Sequence, residues 1–120
     1  MQLEIDINES KPGTARISLD GALDSETSHK LETAVREVAA DTALIVFDMQ
    51  NLTFISSAGL RVVFSTLKKQ KAKGGRVALS HMSPGVKKVF EIVKALPDFT
   101  VFSNVEELDE YLARMQSQDD

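Results

Sequence analysis

Two adjacent serines followed by two small residues, Ser56-Ser57-Ala58-Gly59, carry the strongest chemical signal in this chain. They come shortly after an apolar run that ends at Asp48, where the sequence turns from strand-like to helical. The first turn of a helix has N–H groups without intrahelical partners and the positive end of the macrodipole, so it accommodates negative charge. A hydroxyl there, free of bulky neighbours, is a place to carry a phosphate and to admit a partner's backbone. The ordinary alternative is structural, because serine is a preferred N-cap. Ser56 could hold the cap and leave Ser57 in the first turn with its hydroxyl facing out. Gly59 argues for more than capping. Glycine in a first turn costs about 0.5–1 kcal/mol relative to alanine and implies close backbone packing, internal or against a partner.

Other chemistry is thinner. No G-x-S-x-G nucleophile motif surrounds Ser57. His29 and His81 are the only histidines; neither is placed near Ser57, and two lone histidines make no metal site. Cysteine is absent, which excludes disulfides and thiolate sites. Asp48 invites comparison with the phospho-acceptor of response-regulator receivers. Those need an acidic pair closing the first strand and a lysine closing a later one, and Ile7-Asn8-Glu9 and Ala78-Leu79-Ser80 supply neither. Asp48 is therefore expected to anchor a loop. Asp24 reads as a turn or N-cap residue. No catalytic constellation, cofactor or metal is expected, which favours a switch over an enzyme.

The elements that would position these residues follow from periodicity. Leu3, Ile5 and Ile7, then Ala15, Ile17 and Leu19, alternate with polar residues as half-buried strands do. Pro12 and Gly13 between them suit the centre of a type II turn. Leu31, Ala34, Val35 and Val38 mark a first helix, beginning near 25–27. The continuous apolar run 43–47 reads as a central strand, with a loop over 48–57 leaving its carboxyl end. Leu60, Val63, Phe64 and Leu67 mark a second helix that stops at Gly74-Gly75. A strand over 76–80 follows, then Ser83-Pro84 opening a third helix, a short strand over 99–102 and a last helix from Asn104. The order is ββαβαβαβα. It implies one α/β domain over 1–115, with a mixed sheet of an antiparallel hairpin followed by parallel strands, about four helices, and a frayed tail over 116–120.

With a net charge of −4, direct nucleic-acid binding is not expected. The cluster Lys68-Lys69-Gln70-Lys71-Ala72-Lys73 falls where a helix ends, where cations offset the dipole. No apolar run approaches the ~20 residues of a membrane span, and the first residues lack signal-peptide character. A cytoplasmic setting without membrane association is expected.

The stretch Asp48-Met49, then Leu52-Thr53-Phe54-Ile55-Ser56-Ser57-Ala58-Gly59-Leu60, resembles the signature of STAS-domain proteins, specifically the bacterial anti-sigma factor antagonists. Leu19-Asp20-Gly21-Ala22-Leu23-Asp24 is similar to the family's segment before the first helix, and the likeness spans roughly 3–115. The resemblance implies a phosphoprotein in a partner-switching cycle that regulates transcription. Ser57 would be phosphorylated by an anti-sigma factor with serine kinase activity. The unphosphorylated form would bind that factor, and a metal-dependent serine phosphatase would reset the cycle. The family often has aspartate before the phosphoserine; Ser56 stands there in this chain and is a second candidate acceptor. Asp24 would lie near the phosphoserine. The docking surface would comprise Asp24, Ser25, Thr53, Phe54, Ser56, Ala58, Gly59, Leu60 and Arg61. The alternatives are a STAS subunit of a stress-signalling complex or of a membrane lipid transporter, and, further off, a small phosphoryl-transfer or hydrolytic enzyme.

Overall fold

The computed structural model describes residues 2–95 and the helical residues Glu110, Ala113, Arg114 and Gln116, with backbone alone at 10 and 93–95. The elements are β1 (Leu3–Lys11), β2 (Thr14–Leu23), α1 (Ser28–Glu37), β3 (Leu44–Ile55), α2 (Ser57–Ala72), β4 (Arg76–Ser80) and α3 (Pro84–Ala95). This is the predicted order for its first seven elements. The expected strand over 99–102 and most of the last helix lie outside the described residues.

The sheet runs β1-β2-β3-β4, so spatial order follows chain order. β1 and β2 pair antiparallel through the Pro12-Gly13 turn, and Gly13 takes the φ of 82° that the second central residue of a type II turn requires. β2, β3 and β4 are parallel, and helices bridge each parallel step as right-handed crossover logic demands.

Strand alternation decides which face is covered. Ile17 and Leu19 of β2, with Ile45, Phe47 and Met49 of β3, join Leu31 of α1, Leu60 and Val63 of α2, and Val86, Val89 and Phe90 of α3 in one core. All three helices therefore pack on the same face. Each such fully buried side chain contributes about 1.5–3 kcal/mol. The residues between them, Arg16, Ser18, Val46 and Asp48, point to the opposite face, where none of them joins the core.

β3 departs from expectation. The sequence predicts a strand over 43–47 and a loop over 48–57, whereas the strand continues for 12 residues to Ile55. The continuation is paired to β2, and it is bulged. Ser18↔Asp48 is followed by Asp20↔Asn51, and Gly21↔Leu52 by Ala22↔Phe54, so β3 carries one extra residue at each step. Bulges break the period-2 pattern that marks a strand, which is why this half read as a loop.

The helix ends follow their sequence signals. Ser83 Oγ accepts the Val86 N–H at 3.3 Å, capping α3 behind Pro84. Lys69 and Lys71 occupy the last turn of α2, and Lys73 Nζ donates to the Ala40 carbonyl at 2.8 Å. Buried Gln70 fastens the same end, its Nε2 donating to the Thr42 and Arg76 carbonyls at 3.2 Å each.

Candidate functional site

The junction of β3 and α2 is built around Leu23, the last residue of β2. The Ser56 N–H donates to the Leu23 carbonyl at 2.9 Å, extending the parallel pairing by one bond. Gly59, in the first turn of α2, lies directly against the same residue. A Cβ there would sit 2.6 Å from Leu23 Cγ, 2.8 Å from Cδ2 and 3.0 Å from the Leu23 carbonyl oxygen. The glycine thus answers to internal packing, which draws the start of α2 onto the end of β2.

Ser56 is the N-cap residue of α2 in extended conformation, but its hydroxyl makes no capping hydrogen bond. Its carbonyl accepts the Leu60 N–H at 2.9 Å, the first bond of the helix. Ser57 follows in the first turn, as one of the two sequence readings has it. No acidic side chain stands in that turn to neutralise the dipole.

One expectation is overturned. The sequence places the Ser57 hydroxyl facing out, whereas the residue is only 9% exposed and its Oγ is sealed from solvent. Ser56, at 5% exposure, is sealed as well, and its Oγ has no hydrogen-bond partner among the described residues. The local setting also differs from the expected one, since the helix starts from a paired strand held to Leu23 instead of from an open loop.

A further contact closes the junction. The Gln116 carboxamide accepts the Ile55 N–H and donates to the Ile55 carbonyl, each at 2.8 Å. Gln116, assigned by sequence to the frayed tail, is helical and anchored; 117–120 lie outside the described residues. Nothing in the sequence pattern signals this contact, because a glutamine after a helical stripe is ordinary.

The other candidates divide by exposure. Ser25, Thr53 and Arg61 are exposed, Asp24, Phe54 and Ala58 half-buried, and Gly59 and Leu60 buried. Leu60 belongs to the core, so in this conformation a docking partner meets its neighbours instead. Since the N-cap of α1 is Thr27, Asp24 takes the turn role and not the N-cap role. Its Oδ1 accepts from Glu26 N–H (2.9 Å), Thr27 N–H (3.1 Å) and Thr27 Oγ1 (3.1 Å), and its own N–H donates to Thr27 Oγ1 at 2.9 Å. Buried Thr27 also donates to the Ala22 carbonyl at 2.7 Å. Together they fix the turn before α1 next to Leu23. Thr53 Oγ1 donates to the Gly21 carbonyl at 3.0 Å across the second bulge.

Asp48 belongs to a different place. It lies on the open face of the sheet, seven residues before the end of β3 and roughly 20 Å from Ile55 along the strand. Arg16 Nε and Nη2 donate to its Oδ2 at 3.2 and 2.5 Å, and the Gln50 N–H donates to Oδ1 at 3.1 Å. The Arg16 hydrogen bond, then that of Gln50, hold the Asp48 carboxyl below its ordinary value against the opposing pull of burial. His81 Nδ1 stands 3.7 Å from Oδ1. Arg16 is the partner that sequence reading missed, since it is 32 residues away. No group of metal-ligating side chains occurs among the described residues, and no described helix is long and apolar enough to cross a membrane.

Residues 7–108 match the family model of the STAS domain. The chain belongs to that family. RsfB, an anti-sigma-F factor antagonist of Mycobacterium tuberculosis, is 34% identical over 96 residues, covering 72% of this chain and 78% of that protein. An anti-sigma F factor antagonist of Paenibacillus polymyxa is 26% identical over 106 residues, covering 87% and 90%. Among solved structures, the anti-sigma factor antagonist SpoIIAA in its unphosphorylated form superposes with a TM-score of 0.65 at 26% identity, covering 76% of this chain and 81% of that one. The chain also matches 19% of the length of Mglu at 15% identity and a TM-score of 0.56, which shows the fold alone.

Proposed function

We propose that this STAS domain is an anti-sigma factor antagonist whose binding to an anti-sigma factor is switched off by phosphorylation of Ser57. The observation that carries the reading is the position of Ser57 in the first turn of α2, where no acidic side chain competes for the dipole. The names of its relatives support the role. A kinase would form the Oγ–P bond as the γ-phosphoryl of ATP leaves ADP, with the hydroxyl proton lost to a base on the kinase. The domain is substrate and ligand in this cycle, and the catalytic groups belong to its partners. A metal-dependent serine phosphatase reverses the modification.

Phosphate adds about −1.5 to −2 charge and three acceptor oxygens. At a helix N-terminus the domain tolerates that charge. A partner docked over this junction must then desolvate a dianion, and each 1.4 kcal/mol of differential binding is a tenfold loss of affinity. An uncompensated buried charge exceeds that readily. Exposed Ser25, Thr53 and Arg61 flank the junction and are the docking residues this reading assigns first. Ser56 is the competing acceptor.

The test is capture from a native lysate by wild type, Ser57→Ala and Ser57→Asp, with mass spectrometry. Ser57→Ala is expected to retain an ATP-binding serine kinase and Ser57→Asp to lose it. Equal capture by all three would overturn the proposal, as would turnover of phosphate or ester substrates by the purified chain.

A further inference from the structure

The hydroxyl that must be modified is sealed, and one described side chain holds the backbone beside it. β4 ends at Ser80, opposite Asp48. Beyond that point β3 has β2 on one side and no described strand on the other. Backbone groups alternate along a strand, and since the Ser56 N–H points to β2, the N–H and C=O of Ile55 point to the open edge. A primary amide carries both a donor and an acceptor. Gln116 uses both on Ile55, filling the place of a neighbouring strand. Ile55 immediately precedes Ser56 and Ser57, whose Oγ atoms are both closed to solvent.

We infer that Gln116 is a latch: its carboxamide holds the end of β3 closed and withholds Ser57 until the C-terminal helical turn releases it. The inference rests on the reading of Ser57 as the modified residue. It adds that the substrate of the kinase is a minor, unlatched state. A kinase needs its acceptor hydroxyl in reach of the γ-phosphate, so its apparent affinity falls by the fraction of unlatched molecules. A partner that takes hold of the Ile55 edge in place of Gln116 would raise that fraction and prepare the domain for modification.

The cysteine-free chain allows a test that needs no kinase. Ser57→Cys supplies a single thiol, and its rate of alkylation by iodoacetamide reports opening at the junction. Ala34→Cys, buried in α1, reports global opening. Both are measured in the parent background and with Gln116→Ala and Gln116→Glu; the latter keeps length and helix preference but cannot donate to the Ile55 carbonyl. Loss of one or two neutral hydrogen bonds is expected to speed alkylation of the Ser57→Cys thiol about tenfold or more and to leave the Ala34→Cys rate unchanged. Amide exchange at Ile55 should accelerate with it. An unchanged Ser57→Cys rate in both Gln116 variants overturns the latch, and so does equal acceleration at the two thiols. Either failure leaves the lysate capture result untouched. Failure of that capture would remove the switch while a labelling difference still stood.

Discussion

Replacing Gly59 by alanine sets two effects against each other. Alanine is the better helix former by about 1 kcal/mol, so a surface glycine in α2 would gain stability from the change. At this position the added Cβ falls 2.6 Å from Leu23 Cγ and 3.0 Å from the Leu23 carbonyl oxygen. Leu23 is 0% exposed and locked in the core, and its carbonyl already accepts the Ser56 N–H. Neither atom can give way cheaply, so the first turn of α2 must lift off the end of β2. Overpacking of this kind costs about 1–3 kcal/mol, and stretching the Ser56–Leu23 bond adds about 1 kcal/mol. The repulsive side wins. A net loss of about 1–3 kcal/mol is expected, read as a lower urea midpoint with unchanged slope and a melting temperature down by about 3–15 °C. Leu23→Ala, itself destabilising, should shrink the cost of Gly59→Ala in a double-mutant cycle. A Gly59→Ala protein as stable as wild type would refute the argument, and so would a cycle with no coupling to Leu23.

Ser56→Ala should run against the rule for N-caps. Such a change ordinarily costs about 1 kcal/mol, but the Ser56 hydroxyl makes no cap bond, so urea unfolding should show no loss, or a gain of up to about 1 kcal/mol. Thr27→Val removes the hydroxyl that bonds the Ala22 carbonyl and the Asp24 N–H and should cost about 1–3 kcal/mol by the same measurement. Arg16→Ala leaves the Asp48 carboxylate without its main partner and should cost about 1–2 kcal/mol, less than a fully buried pair because Arg16 is 43% exposed. The folded pKa of Asp48 is depressed, so its contribution is complete above the unfolded value near ~4 and is lost as pH falls through the folded one. The stability gap between wild type and Asp48→Asn should therefore hold at neutral pH and narrow below about pH 4. A gap constant down to strong acid would contradict the ion pair.

Much of this fold is legible because local signals and global packing agree. The Pro12-Gly13 turn, the stripe of α1, Ser83 ahead of Pro84 and the strand over 76–80 all fall where period and cap chemistry place them. β3 is half legible. Its apolar half is a plain run, but the two bulges between Asp48 and Phe54 break alternation, and pairing to β2 restores order that sequence cannot display. The site shows the same division. Ser57 is found by its place at a helix start and Gly59 by its cost, whereas the close packing of the α2 start depends on Leu23, and the closed edge at Ile55 on Gln116, 61 residues away. Arg16 escaped notice for the same reason. Charged partners across a sheet are set by register, and register is not written in either segment alone.

The central claim is that a charge at Ser57 expels a bound anti-sigma factor from a domain that otherwise stays folded. Titration calorimetry of the purified kinase partner against unmodified and singly Ser57-phosphorylated protein tests it directly, with amide exchange confirming that α1 and the sheet are intact in both. A loss of affinity of at least tenfold with an unchanged sheet is the expected result. Equal affinity of the two forms, or loss only when Ser56 carries the phosphate, would contradict it.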